Sequence, residues 1–128
     1  MSKPYDNNRF SFRARLRSFR YAAQGIVALI RGEHNARIHL VAALLAVASA
    51  LWLRISSVEW CIVIILIGAV FALEAVNSAV EALADKISPD FSPLIKKAKD
   101  LAAAAVLFMA IVAVVIAAVI FIPKLLAL

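Results

Sequence analysis

Apolar residues fill long stretches of this chain, and the polar ones gather in a few groups. Three apolar runs stand out, at 38–53, 58–84 and 101–122. None alternates apolar and polar positions as a membrane β-barrel strand does, so all three read as helices. At a rise of about 1.5 Å per residue, the second and third can cross a hydrocarbon core of about 30 Å. The first is short for a crossing and has His39 at its edge, which calls for tilt or local thinning of the bilayer. The tetrapeptide RISS at 54–57 is a tight link between the first two runs.

Upstream, the period changes. Phe12, Leu16, Phe19, Ala23, Ile26 and Ile30 recur at steps of three and four, with Arg13, Arg17, Arg20 and Gln24 between them. That pattern predicts an amphipathic helix over about 10–32, whose arginines suit an anionic membrane surface. Gly32 reads as the break before the first span. The predicted architecture is an all-α membrane protein: an N-terminal amphipathic surface helix and three transmembrane helices. Residues 10–128 form one membrane domain behind a disordered tail at 1–9.

Composition supports the membrane reading. Of 128 residues, 65% are hydrophobic and only three are glycine and four proline, which favours long helices. The first 20 residues are polar and basic, with no apolar stretch of the kind a cleavable signal carries. A single cysteine, Cys61, excludes an intrachain disulfide and a cysteine-based zinc cluster, and is expected to pack within its helix. The net charge of +6 is better explained by membrane topology than by nucleic acid.

Seven arginines (9, 13, 15, 17, 20, 31 and 37) precede the first span, and Lys86, Lys96, Lys97 and Lys99 lie between the second and third. Arg54 and Lys124 are the basic residues on the opposite side. The positive-inside rule then puts the N-terminus and the 86–100 loop in the cytoplasm and the C-terminus outside, with Trp52 and Trp60 at the outer interface. In that loop Ser88-Pro89 ends one helix, and Ser92-Pro93 supplies the N-cap and first position of the next.

The chemistry lies in EAVNSAVEALAD, residues 74–85. Glu74, Asn77, Glu81 and Asp85 are spaced three, four and four apart, which puts them within roughly 80° of one helix face. Ser78 adjoins that arc. Glu74 lies about 16 Å along the axis from Asp85, a depth at which a glutamate costs at least about 2.5 kcal/mol on insertion scales. Two readings fit: polar side chains that hold helices together, or a metal site. Glu74 and Glu81 are too far apart to share an ion unaided, but Glu33, at the break before the first span, faces the same side. Such hard oxygen ligands suit Mg²⁺, commonly held by one or two carboxylates plus substrate phosphates. Lys99 adds a phosphate-binding cation, and Asp100 a further polar group. Together these suggest phosphoryl transfer at the cytoplasmic interface, although a cation transporter could present a similar set. The phosphate-loop, dinucleotide and protein-kinase signatures are absent from the sequence. His34 and His39, five apart, share a helical face poorly and read as interfacial hydrogen-bonding residues ahead of metal ligands.

EAVNSAVEALAD, followed about a dozen residues later by KKAKDLAAAAV, resembles the prokaryotic diacylglycerol kinase family of small membrane lipid kinases. The resemblance runs from about Phe19 to Ile122. GEHNARIHL, SVEW and PLIKKAKD look more like its undecaprenol kinase branch. It implies a homotrimer with composite active sites between subunits, in the bacterial cytoplasmic membrane. Glu74 matches the general base acting on the lipid hydroxyl, and Asn77 a polar partner beside the carboxylates. Glu33 and Glu81 match the carboxylates that hold the Mg²⁺ of the bound ATP, so both belong to metal and nucleotide sites. Lys99 and Asp100 match the pair contacting the nucleotide, with Lys99 on its phosphates. Asp85 matches an aspartate near the nucleotide, and Tyr21 an aromatic of the nucleotide pocket, with interfacial anchoring a nearly equal reading of that tyrosine. Phe91 and Ser92 stand where tyrosine and histidine are common, and Ala22 where the diacylglycerol branch has serine, so nucleotide preference stays open.

The expected function is ATP- and Mg²⁺-dependent phosphorylation of a membrane lipid alcohol, undecaprenol first and diacylglycerol second. A non-enzymatic ion-binding or channel-like protein is the alternative of a different class.

Overall fold

The computed structural model describes residues 9–128, so the tail expected at 1–9 lies outside the described residues except for Arg9. Four helices follow one another: α1 (Phe12–Gly32), α2 (His34–Leu53), α3 (Ser57–Ile87) and α4 (Pro93–Leu126). The last three are each long and apolar enough to cross a membrane. Helix α4 packs chiefly on α3, α2 touches both, and α1 meets α2 and α3 but not α4.

Helix α1 starts where Ser11, in extended backbone, accepts a hydrogen bond from the Ala14 N–H. Its predicted apolar face is uncovered by the chain itself: Phe12, Leu16, Phe19 and Ile26 are all exposed, and Leu29 alone is buried. The break falls one residue later than the glycine suggested. Gly32 remains helical, while Glu33 adopts φ −117°, ψ 119° and caps both helices at once. Arg37 fixes this corner by reaching back to the orphan carbonyls at the end of α1. Its Nε donates to the Ile30 carbonyl at 2.9 Å, and its Nη2 to that of Arg31.

Helix α2 corrects the reading of a short first span. It begins at His34, and its 20 residues extend about 30 Å, enough for a full crossing. The RISS link is tight because Arg54 takes the left-handed conformation (φ 52°) that ends α2. Ser56 then opens α3 with a reciprocal capping box. Its Oγ accepts from the Glu59 N–H at 3.2 Å while the Glu59 carboxylate accepts from the Ser56 N–H at 3.0 Å. Glu59 also meets Lys124 at 3.2 Å, tying the start of α3 to the end of α4.

The tightest packing lies near this link, where Ala50, Ile55, Val63 and Ile120 are buried against Trp60, Ile67, Ile116 and Phe121. Trp52 is exposed there, as an interfacial anchor would be, while Trp60 is drawn into the packing. Cys61, expected to pack, is exposed on the apolar surface of α3.

At the other end α3 and α4 are joined by a short loop. Ser88 ends α3, and its hydroxyl donates to the Asp90 carbonyl at 2.7 Å. Ser92 and Pro93 hold the expected N-cap and first helical positions, although the Ser92 side chain makes no capping bond. With 31 and 34 residues, α3 and α4 exceed a hydrocarbon core by several turns. Those extra turns place the charged ends of the polar stripe beyond the apolar zone.

Candidate active site

The stripe on α3 forms the face predicted from its spacing, and the chain buries its deepest members. Glu74 is 1% exposed and Asn77 8% exposed, the two buried polar side chains among the described residues. Glu81 is half-buried, and Asp85 at the end of the helix is exposed. Polarity and exposure therefore rise together from Glu74 toward the loop.

Burial of Glu74 is not compensated by hydrogen bonds. Its Oε2 has no hydrogen-bond partner, nor do Asn77 Oδ1 and Ser78 Oγ. Buried polar atoms without partners are costly, and three of them within five residues point to something that completes the site. The nearest cationic or proton-donating group is the His39 Nε2 at 3.5 Å from Glu74 Oε2, close enough for an ion pair but too long or poorly aligned for a hydrogen bond. The sequence marked His39 as an interfacial hydrogen-bonding residue at the edge of the first span, but did not point to Glu74 as its neighbour.

Glu33 and Glu81 lie close enough to Glu74 for their charges to act on it. Glu33 stands at the α1–α2 corner, between the two helices. Among the described residues neither carboxylate forms an ion pair within the chain. No group of three histidine, cysteine or acidic side chains among the described residues is close enough to hold a metal by itself. Glu33 and Glu81 each offer a hard carboxylate oxygen of the kind that Mg²⁺ accepts alongside substrate phosphate and water.

Lys99 sits at the start of α4, ahead of that helix's apolar run. Its Nζ donates to Asp85 Oδ1 at 2.8 Å across the α3–α4 loop, and Glu81 lies within electrostatic range. The bond to Asp85 holds the ammonium protonated beyond the ordinary lysine range. Asp100, adjacent in sequence, does not share this arrangement: it pairs with Lys96 one turn back on α4. Tyr21 is 55% exposed on α1, a helix that does not touch α4, so one chain does not bring it to Lys99.

Beside His39 an apolar cavity of about 370 Å³ opens between α2, α3 and α4. Alanines at 42, 43, 46, 110, 113 and 117 create the space, and Val70 and Phe71 bound it one turn from Glu74. His39 is the one polar side chain in its lining. An apolar cavity, a buried carboxylate and the Lys99–Asp85 pair thus follow one another along α3 toward the loop.

Residues 20–121 match the prokaryotic diacylglycerol kinase family. The chain is 39% identical over 126 residues to the undecaprenol kinase of Bacillus subtilis, covering 97% of this chain and 98% of that protein. It is 36% identical over 109 residues to the diacylglycerol kinase of Escherichia coli (85% and 89% covered). A diacylglycerol kinase of Synechocystis matches at 33% over 112 residues (87% and 64%). By the extent of these matches, the chain belongs to the prokaryotic diacylglycerol kinase family.

Proposed function

We propose that the protein is a lipid kinase that transfers the γ-phosphoryl of ATP to the hydroxyl of undecaprenol. Family membership supports the kinase activity. Agreement with the Bacillus undecaprenol kinase along almost the whole of both chains supports the isoprenoid alcohol over diacylglycerol. The observation that carries the mechanism is Glu74: a carboxylate 1% exposed, with an unpartnered oxygen, on an apolar span.

In this reading Glu74 is the general base. It accepts the hydroxyl proton as the lipid oxygen bonds to the γ-phosphorus, and the bond from that phosphorus to the bridging oxygen of ADP breaks. Burial keeps water from competing with the lipid. Asn77, one turn away, orients groups around the reacting oxygen. Lys99 exchanges part of its contact with Asp85 for the nucleotide phosphates and offsets their charge, while Asp85 keeps the lysine near Glu81 when no nucleotide is bound. Asp100 and Tyr21 contribute to the nucleotide pocket.

Glu33 and Glu81, unpaired carboxylates with hard oxygen donors, would hold Mg²⁺. When bound, the ion supplies charge neutralisation on the phosphoryl oxygens.

The membrane domain spans 10–128, with the N-terminus and the α3–α4 loop in the cytoplasm and the C-terminus outside, in the bacterial inner membrane. The exposed apolar face of α1 rests on the cytoplasmic leaflet, where the lipid hydroxyl and aqueous ATP meet. Three copies assemble with sites between subunits, a reading supported by Tyr21, which one chain leaves exposed and away from Lys99. The unpartnered Asn77 and Ser78 favour an arrangement in which neighbouring groups complete the stripe.

The test is transfer of labelled phosphate from ATP to a lipid alcohol by purified protein in mixed micelles with Mg²⁺. Mg²⁺-dependent lipid phosphate supports the proposal. Metal binding with no transfer to undecaprenol or diacylglycerol overturns it in favour of a non-enzymatic ion-binding protein.

A further inference from the structure

His39 is the one ionisable side chain that borders both the apolar cavity and Glu74. It is carried on the second turn of α2, below the corner at Glu33, with its side chain 22% exposed. Every other residue lining the cavity is aliphatic or phenylalanine. An imidazole on such a wall carries a desolvation cost unless a partner takes its N–H. The only candidate within the chain, among the described residues, is the Glu74 carboxylate, 3.5 Å from Nε2.

The chemistry of the two groups sets the direction of the bond. An ionised carboxylate only accepts, so an attractive contact requires the hydrogen on Nε2. The oxygen facing it is Oε2, the one that lacks any partner. A separation of 3.5 Å is about 0.5 Å beyond a formed N–H···O bond, and catalytic hydrogen bonds often stand long before substrate binds. An approach of about 0.5 Å closes it. Once closed, the bond anchors Oε2 and turns the other carboxylate oxygen toward a hydroxyl.

We propose that His39 is a positioning residue, whose Nε2–H holds Glu74 Oε2 at the edge of the apolar cavity so that the opposite oxygen faces the lipid hydroxyl. This rests on the reading of Glu74 as the base. It needs no proton transfer by the histidine: the imidazole keeps its hydrogen throughout, and the lipid proton goes to Glu74. The residue links α2, whose start also carries Glu33, to the reacting carboxylate on α3.

The test compares His39→Leu with His39→Gln, whose amide restores an N–H donor at similar reach, in mixed micelles with ATP, Mg²⁺ and undecaprenol. Leucine should lower kcat about tenfold to a hundredfold, the cost of a misplaced reacting group, with the KM for ATP within about twofold of wild type. Glutamine should recover most of that loss, and both variants should assemble and melt close to wild type. Equal loss in both variants, which would mean the imidazole itself is required, overturns the positioning role. So does wild-type kcat in the leucine variant, or a loss confined to KM or to thermal stability. Glu74→Gln separates the two claims. If it retains activity, the base assignment fails; if it is inactive while His39→Leu turns over normally, only the inference about His39 fails.

Discussion

Replacing Glu74 with glutamine tests the assignment of the base with little structural disturbance. Glutamine matches glutamate in volume, so the 1% exposed site keeps its packing and no cavity forms. The amide oxygen is too weak a base to take the hydroxyl proton, and the burial that shields Glu74 also keeps water from substituting for it. General base catalysis contributes about 10²- to 10⁴-fold, so kcat should fall by that factor, equivalent to about 3–5 kcal/mol on the barrier. The nucleotide site, two turns or more toward the loop, should be untouched, with the KM for ATP within about twofold of wild type. Steady-state transfer from labelled ATP to undecaprenol in mixed micelles gives both constants, and thermal unfolding in detergent shows whether the fold survives. A kcat within tenfold of wild type, or a large rise in KM at normal kcat, would show that Glu74 is not the base.

Glu81→Gln should abolish turnover while assembly is unchanged, and near-normal activity at limiting Mg²⁺ would remove Glu81 from the metal site. Lys99→Met should raise the KM for ATP at least about tenfold through loss of a charged phosphate contact. The effects of Lys99→Met and Asp85→Asn should be non-additive because the two side chains are bonded; strict additivity in a double-mutant cycle would show that the bond is irrelevant to nucleotide binding. Ser56→Ala removes the Oγ acceptor that caps α3 and should cost about 1 kcal/mol, read as a lower midpoint of thermal unfolding with turnover at 25 °C unchanged.

The sequence disclosed those features that depend on one helix at a time. The spacing of Glu74, Asn77, Glu81 and Asp85 is enough to put them on one face, and the surface helix follows from steps of three and four. What it concealed depends on how two helices are rotated against each other. Helix α2 is apolar nearly all round, so nothing in its periodicity says which side meets α3, and the approach of His39 to Glu74 stayed hidden. The partner of Lys99 was missed for a similar reason: Asp100 adjoins it in sequence, but Asp85 reaches it across the loop, 14 residues away. The first span looked short because His34, Asn35 and Arg37 are polar, yet they continue the helix while Arg37 caps the preceding one. The cavity was not legible for the same reason, because its alanines sit on α2 and α4 and line one space only where those helices pack with α3.

Phosphorylation of an isoprenoid alcohol at the membrane is measured by offering purified protein undecaprenol and diacylglycerol separately, with ATP and Mg²⁺, and comparing kcat/KM for phosphate transfer. A large advantage for undecaprenol is the predicted result. A clear preference for diacylglycerol would contradict the substrate assignment, and transfer to neither lipid would contradict the account as a whole.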